Sequence, residues 1–289
     1  MAQPMSSASL QRILVATDFS PHADRAFEWA AALARRFSAQ LELVTSVFVM
    51  PFAPGPPGIG IPADFTRGLR EGAERRLAEL AARAAGLRVT TTVLHEDPSS
   101  GICALAREHR ADLLALGTRG RAGLAHVLLG SVAERTARLA PCPVLTLHAD
   151  VSPPKPLKRL LVPTDFSDAA RAAGELARRL LEPGGSLVFA HAIPLVLAAD
   201  VPLPDPRSEA WARAEFDKLV PALGGVSAEL DLRFGAADGA VLDAAAEHAA
   251  DAIVMGTQGR TGLAHVWLGS VAERVIRRSP LPVFSVKPA

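Results

Sequence analysis

The stretch Gly117-Thr-Arg-Gly-Arg-Ala-Gly-Leu-Ala-His-Val-Leu-Leu-Gly-Ser-Val-Ala-Glu-Arg135 returns later in the chain as Gly256-Thr-Gln-Gly-Arg-Thr-Gly-Leu-Ala-His-Val-Trp-Leu-Gly-Ser-Val-Ala-Glu-Arg274. Over residues 117–147 against 256–286, aligned without a gap, 20 of 31 positions are identical, so the chain carries a copy of itself. In each copy a short apolar run, Asp112-Leu-Leu-Ala-Leu or Asp251-Ala-Ile-Val-Met, enters a glycine loop spaced G-x2-G-x9-G-S. A segment of helical period follows. Strand, glycine loop and helix in that order are the parts of a βαβ unit, and βαβ units build a parallel sheet covered on both faces.

Working outward, Arg12-Ile-Leu-Val-Ala-Thr-Asp-Phe-Ser20 matches Arg159-Leu-Leu-Val-Pro-Thr-Asp-Phe-Ser167. The offset is 147 here and 139 at the glycine loops, so the second copy is eight residues shorter. The Pro- and Gly-crowded loop of residues 49–62, against residues 193–206, is where the shortening is expected. Val151-Ser-Pro-Pro-Lys-Pro reads as a short, stiff linker, which divides the chain into repeats 1–152 and 153–289. Strands are expected near 12–16, 40–47, 87–94, 112–116 and 143–147, and helices near 20–37, 64–85, 98–109 and 131–139, with the second half repeating them. Ser20-Pro21 and Asp97-Pro98 read as N-caps followed by proline at the first helical position; Ser167 and Asp238 are the cap candidates of the second half. Phe27, Trp29 and Leu33 lie on an apolar helix face and read as core. The fold class is α/β: two tandem five-stranded sandwiches.

With 289 residues the chain is long enough for two cores, and its 49% hydrophobic content, mostly Ala, Leu and Val, excludes disorder. The 31 Lys+Arg against 30 Asp+Glu leave a formal charge of +1, which argues against nucleic acid or an anionic membrane as partner. Only two cysteines, Cys103 and Cys142, rule out a disulfide scaffold; leucines, Leu242 and Leu281, stand at their matching positions, and both read as core. No leader-like N-terminus or run of about 18 apolar residues appears, and a soluble cytoplasmic protein is expected.

Ligands of open parallel sheets bind at the carboxyl ends of the strands, where a loop enters a helix N-terminus. Gly117, Gly120 and Gly130, with Gly256, Gly259 and Gly269, occupy such loops, and glycine lets backbone N–H groups approach a phosphate. The alternative is a capping box, Ser131-Val-Ala-Glu134 and Ser270-Val-Ala-Glu273, with no ligand. Asp18 and Asp165 close the first strand of each half, placed for ribose hydroxyls or a divalent cation, or for an Asx turn. Arg119, Arg121 and Arg260 are candidates for clamping phosphate oxygens, with Gln258 in place of the first in the second half. His126 and His265 read as packed or interface residues. The P-loop, the G-x-G-x-x-G fingerprint, the G-x-S-x-G elbow, H-E-x-x-H and paired C-x2-C are all missing.

Taken together, the Val-Ala-Thr-Asp-Phe-Ser and Val-Pro-Thr-Asp-Phe-Ser openings, the strand ending in Gly-Thr, the G-x2-G-x9-G-S loop and Pro-Cys-Pro-Val or Pro-Leu-Pro-Val resemble the universal stress protein family in its tandem form, over about residues 10–148 and 157–287. The resemblance implies strand order 3-2-1-4-5, pairing through the last strand, and ATP bound with Mg²⁺ or Mn²⁺. It implies that Asp18 sits at the ribose or metal while Gly117, Gly120, Gly130 and Ser131 hold the phosphates, and that Asp165, Gly256, Gly259, Gly269 and Ser270 do so in the second half. Both motifs are complete, so two sites are expected. Glu96-Asp97, standing where the second half has Gly235-Ala236, departs from the family pattern, and if that turn lies close to the nucleotide Glu96 is expected to add negative charge and weaken the first site.

The function expected is that of an ATP-binding regulator or switch. A slow ATPase, an autophosphorylating protein modified at Ser131 or Ser270, and a nucleotide-independent scaffold are the alternatives. Strand Val144–Leu147 against Val283–Val286 would make the chain an internal pseudo-dimer, alone or as a dimer of such units.

Overall fold

The structure, a computed structural model, describes residues 10–48, 63–118, 129–193, 195–198, 201–204, 206–259 and 268–288. The first half alternates β1 (Arg12–Ala16), α1 (Pro21–Phe37), β2 (Gln40–Ser46), α2 (Ala63–Ala82), β3 (Val89–Leu94), α3 (Pro98–Glu108), β4 (Leu113–Gly117), α4 (Ser131–Leu139) and β5 (Val144–Leu147). Each end lies within three residues of the expected one. The second half runs β6 (Arg159–Pro163), α5 (Asp168–Leu180), β7 (Ser186–Ile193), β8 (Leu195–Ala198), β9 (Val201–Pro204), α6 (Pro206–Leu219), β10 (Ser227–Phe234), α7 (Ala237–Glu247), β11 (Ala252–Gly256), α8 (Ser270–Arg278) and β12 (Val283–Val286). The segment expected as a plain loop after β7 instead carries the antiparallel ribbon β8–β9.

Ten strands form one sheet in the order β10-β7-β6-β11-β12-β5-β4-β1-β2-β3, which is 3-2-1-4-5 in each half. Pairing within each half is parallel, and the halves meet where β12 runs antiparallel to β5, Phe284 opposite Leu145. Each last strand thereby covers the other's edge. The offset between equivalent residues is 147 at Arg12 and Arg159, 146 at Gln40 and Ser186, and 139 at Val89 and Ala228. Seven of the eight residues are thus lost after β2, as expected. Gly86 and Gly225, equivalent by the last offset, both take left-handed backbone, φ 81° and 83°.

On one face of the sheet the halves share a single core that includes Phe27, Trp29 and Leu33 of α1, Leu176 and Leu180 of α5, and Leu145 and Phe284 at the junction. The other face holds two separate cores, under α3 and α4 and under α7 and α8. Polar contacts reinforce the shared side: Trp29 Nε1 donates to the Ser152 carbonyl at 3.0 Å, and Arg36 Nη1 and Nη2 donate to the Leu180 and Leu181 carbonyls at the C-terminus of α5. A cation on a helix's last carbonyls also meets the negative end of its dipole.

Ser20, Asp97 and Ser167 cap their helices as expected, accepting from Ala23, Ser100 and Ala170 N–H. Asp238 does not. Ala236 is the N-cap of α7, and Asp238, buried as the second residue of the helix, pairs with Arg274 at 3.2 Å and Arg278 at 2.8 Å on α8. Two guanidinium partners satisfy a buried carboxylate better than one N–H would. Both cysteines are free thiols; Cys103 is buried and burial pushes its thiol up, while burial pushes Cys142 up to about 12. Neither is a thiolate at neutral pH.

Candidate functional site

Thr17-Asp18-Phe19-Ser20 folds into a turn held by its own side chains. Thr17 Oγ1 accepts from Phe19 N–H at 2.9 Å and Asp18 Oδ1 from Ser20 N–H at 3.0 Å, with Phe19 left-handed at φ 61°. Thr164, Asp165, Phe166 and Ser167 repeat it, again with φ 61° at the phenylalanine. The Asx turn is therefore real, and it fixes each carboxylate at the carboxyl edge of the sheet.

The first glycine of each loop answers to packing. A Cβ on Gly117 would stand 2.7 Å from the His22 backbone carbon and 2.8 Å from Ala23 N, and one on Gly256 would stand 2.7 Å from Ala169 Cβ. The first turn of α1 or α5 lies directly on the strand end, so glycine is required there whatever binds. Gly259 has a different neighbour: its Cβ would meet Asp165 Oδ2 at 2.8 Å, so the loop and the Asp-bearing turn are in contact.

Each loop closes on itself, Gly130 N–H donating to the Thr118 carbonyl and Gly269 N–H to that of Thr257, both at 2.8 Å. The expected capping boxes do not form. Gly130 and Gly269 are the N-caps of α4 and α8, with no side-chain cap bond, and Ser131 and Ser270 are the first helical residues. An extended glycine at the cap has no side chain to offer, so each helix presents its first-turn N–H groups and the positive end of its dipole without a capping oxygen. Arg119, Gly120, Arg121, His126, Arg260 and His265 lie outside the described residues.

In the first half these pieces surround a cavity of about 990 Å³ over the carboxyl ends of β1, β2 and β4, at the upper end of small-molecule pockets. Asp18, Gly117, Gly130 and Ser131 line it together, as the sequence anticipated. Glu96 does not; its side chain lies against Gly101 of α3, where a Cβ would meet it at 2.7 Å, and its carbonyl accepts from Ser46 Oγ. Thr118, on the cavity wall, lies 3.1 Å from His148 Nδ1, while His148 Nε2 reaches the Ile276 carbonyl of the other half at 2.9 Å.

Residues that sequence reasoning missed form the other wall: Val47 and Phe48 after β2, and Gly68, Leu69, Gly72, Ala73 and Arg76 on α2. Arg76 sets its guanidinium 4.0 Å over the Phe19 ring. The available signal was a pair of glycines inside a helix, Gly68 and Gly72, where glycine costs about 1 kcal/mol relative to alanine.

The molecule is a doubled α/β sandwich with a glycine-capped helix over a cavity at its strand ends, the position at which open parallel sheets take ligands. The sequence pattern of the universal stress protein family matches residues 9–148 and again 156–287. Over 300 residues the chain is 27% identical to a universal stress protein of Mycolicibacterium smegmatis, covering 98% of this chain and 99% of that one. It is 33% identical over 144 residues to one of Methanocaldococcus jannaschii, covering 47% of this chain and 81% of the relative. The crystal structure of a universal stress protein from Archaeoglobus fulgidus superposes with a TM-score of 0.76 at 25% identity, covering 96% and 98% of the two chains. The chain belongs to the universal stress protein family, in a tandem two-domain form. None of its described helices is long and apolar enough to cross a membrane.

Proposed function

We propose that the chain is an ATP-binding stress-response protein of the cytoplasm whose nucleotide-bound state acts as a switch toward protein partners. The observation that carries this reading is the first-turn N–H array of α4, capped by Gly130 without a side chain, facing the same 990 Å³ cavity as Asp18. Phosphate oxygens complement such an array. Asp18 and the phosphates are mutually repulsive unless a ribose hydroxyl or a cation stands between them. Mg²⁺ fits that demand: it keeps several waters, binds mainly through the phosphates and needs only one carboxylate, here Asp18, with Asp165 in the equivalent place. Among the described residues no cluster of three or more His, Cys, Asp or Glu could hold a cation without the phosphates.

Calorimetric titration of nucleotide-stripped protein with ATP and Mg²⁺, beside AMP and GTP, tests this. Saturable ATP binding that is lost in Gly130→Val with Gly269→Val, in a protein that stays folded, is the expected result. Unchanged affinity in that variant overturns the phosphate assignment. Phosphate release above about 1 s⁻¹ would move the reading to an ATPase.

A further inference from the structure

Among the differences between the halves on the cavity wall, one sets a glycine against a tryptophan. Counted at the common offset of 139, Ala73 matches Ala212, Leu77 matches Phe216 and Leu80 matches Leu219, each pair facing inward, and Gly72 then matches Trp211. In the second half the Trp211 indole meets Phe166 edge-on at 5.3 Å and His191 at 5.8 Å, and Phe166 is buried. In the first half the equivalents of Phe166 and His191 are Phe19 and Thr45, both on the cavity wall, and among the described residues no aromatic side chain pairs with the Phe19 ring as Trp211 does with Phe166. Among the described residues a Cβ on Gly68 would meet nothing within 4 Å, and one on Gly72 only the Arg75 guanidinium at 3.9 Å. These glycines weaken α2 without permitting any close helix approach; what they do is leave room.

We propose that the first-half cavity contains a compartment for a flat aromatic ring, kept open by Gly72, and that the Trp211 indole fills the equivalent compartment of the second half. Resting on the nucleotide reading, this makes the ring the base of the bound nucleotide and gives one high-affinity nucleotide per chain, in the first half. The ring packs against Phe19, between the α2 glycines and the apolar side chains of Leu69 and Phe48, which are 39% and 40% exposed. Arg76, which has no ion-pair partner among the described residues, already lays its planar guanidinium on Phe19 and supplies a cation to stack on the base. The second half keeps its glycine-capped helix, so an anion alone still has a cradle there.

Calorimetry with ATP, adenosine and inorganic tripolyphosphate on wild type, Gly72→Trp and Trp211→Ala separates the terms. Wild type is expected to take one ATP. Gly72→Trp should bind ATP and adenosine about tenfold or more weakly while tripolyphosphate binding persists, which also shows that the variant is folded. Trp211→Ala should raise the ATP count from one to two. Two ATP in wild type, ATP and adenosine affinity unaffected by Gly72→Trp, or a count still at one in Trp211→Ala overturns the compartment while leaving the nucleotide reading standing. If wild type takes none of the three probes, the nucleotide reading falls and the compartment with it.

Discussion

His109 Nδ1 lies 2.8 Å from Oε2 of Glu42, a carboxylate only 3% exposed on β2. Its equivalent, His248, at the matching C-terminus of α7, contacts Asp231 Oδ2 at 2.9 Å, but Asp231 sits on β10. The carboxylate has moved one strand outward: Val188 stands where Glu42 would be, and Thr92 where Asp231 would be. The histidine at this helix end thus has a carboxylate partner in both halves, and for Glu42, buried in the sheet, a partner is what makes the charge tolerable.

His109→Ala is accordingly expected to cost about 1–3 kcal/mol in urea unfolding. In a Glu42→Val background the same substitution should cost close to nothing. Glu42→Val with Thr92→Asp should restore the coupling to His109, as a double-mutant cycle will report. Full additivity throughout would show that the contact is incidental.

Gly117 and Gly68 predict opposite signs. Alanine at 117 drives a Cβ into the His22 and Ala23 backbone, which cannot swing aside, and about 1–3 kcal/mol of stability should be lost. Alanine at 68 meets open space inside a helix and should add about 0.5–1 kcal/mol. Chemical denaturation of the two single variants measures both.

Element ends were legible because the duplicated sequence supplied the period twice, and because apolar runs and cap residues such as Ser20 and Asp97 are local signals; strand order and pairing through the last strand came from the family resemblance. That Asp18, Gly117, Gly130 and Ser131 share one sheet edge was legible from the same duplication and local signals, and the structure places all four on one cavity wall. The far wall was not legible. Gly72 gains meaning only beside Trp211, and that pairing needs the register of α2 and α6, which diverge in sequence around the deletion. Asp238 and the supposed capping boxes misled because a Ser or Asp near a helix start is read as a cap, whereas the backbone began each helix one or two residues away.

Asp251 governs a pH response. It accepts from Lys158 and Arg159 N–H at 2.7 and 2.8 Å and from Lys155 Nζ at 2.7 Å. Partial burial pushes its carboxyl up, but the Lys155 ammonium and the two N–H groups outweigh burial and hold it below the usual carboxylate range. A lowered folded value means that the unfolded chain takes up the proton first, so the stabilisation is complete above about pH 5 and is lost as pH falls through 4 and below. Asp251→Asn should be less stable than wild type by a constant amount from pH 5 to 8, with the gap closing under acid. A gap independent of pH down to 3 would sink this account.

The core shared through Leu145 and Phe284 makes a claim about cooperativity. Phe284 is fully buried at the antiparallel β5–β12 junction and belongs to the same cluster as Trp29, Leu33, Leu176 and Leu180, so neither half can lose its packing without exposing the other's. The Arg36 bonds to the Leu180 and Leu181 carbonyls tie α1 to α5 in the same sense. The chain is therefore expected to melt in a single calorimetric transition, with calorimetric and van't Hoff enthalpies in agreement. Phe284→Ala removes a ring from both halves' core at once and should cost about 3–5 kcal/mol, lowering that one transition without splitting it. Two separate transitions in wild type would mean that the halves fold independently and that the junction contributes contact without coupling.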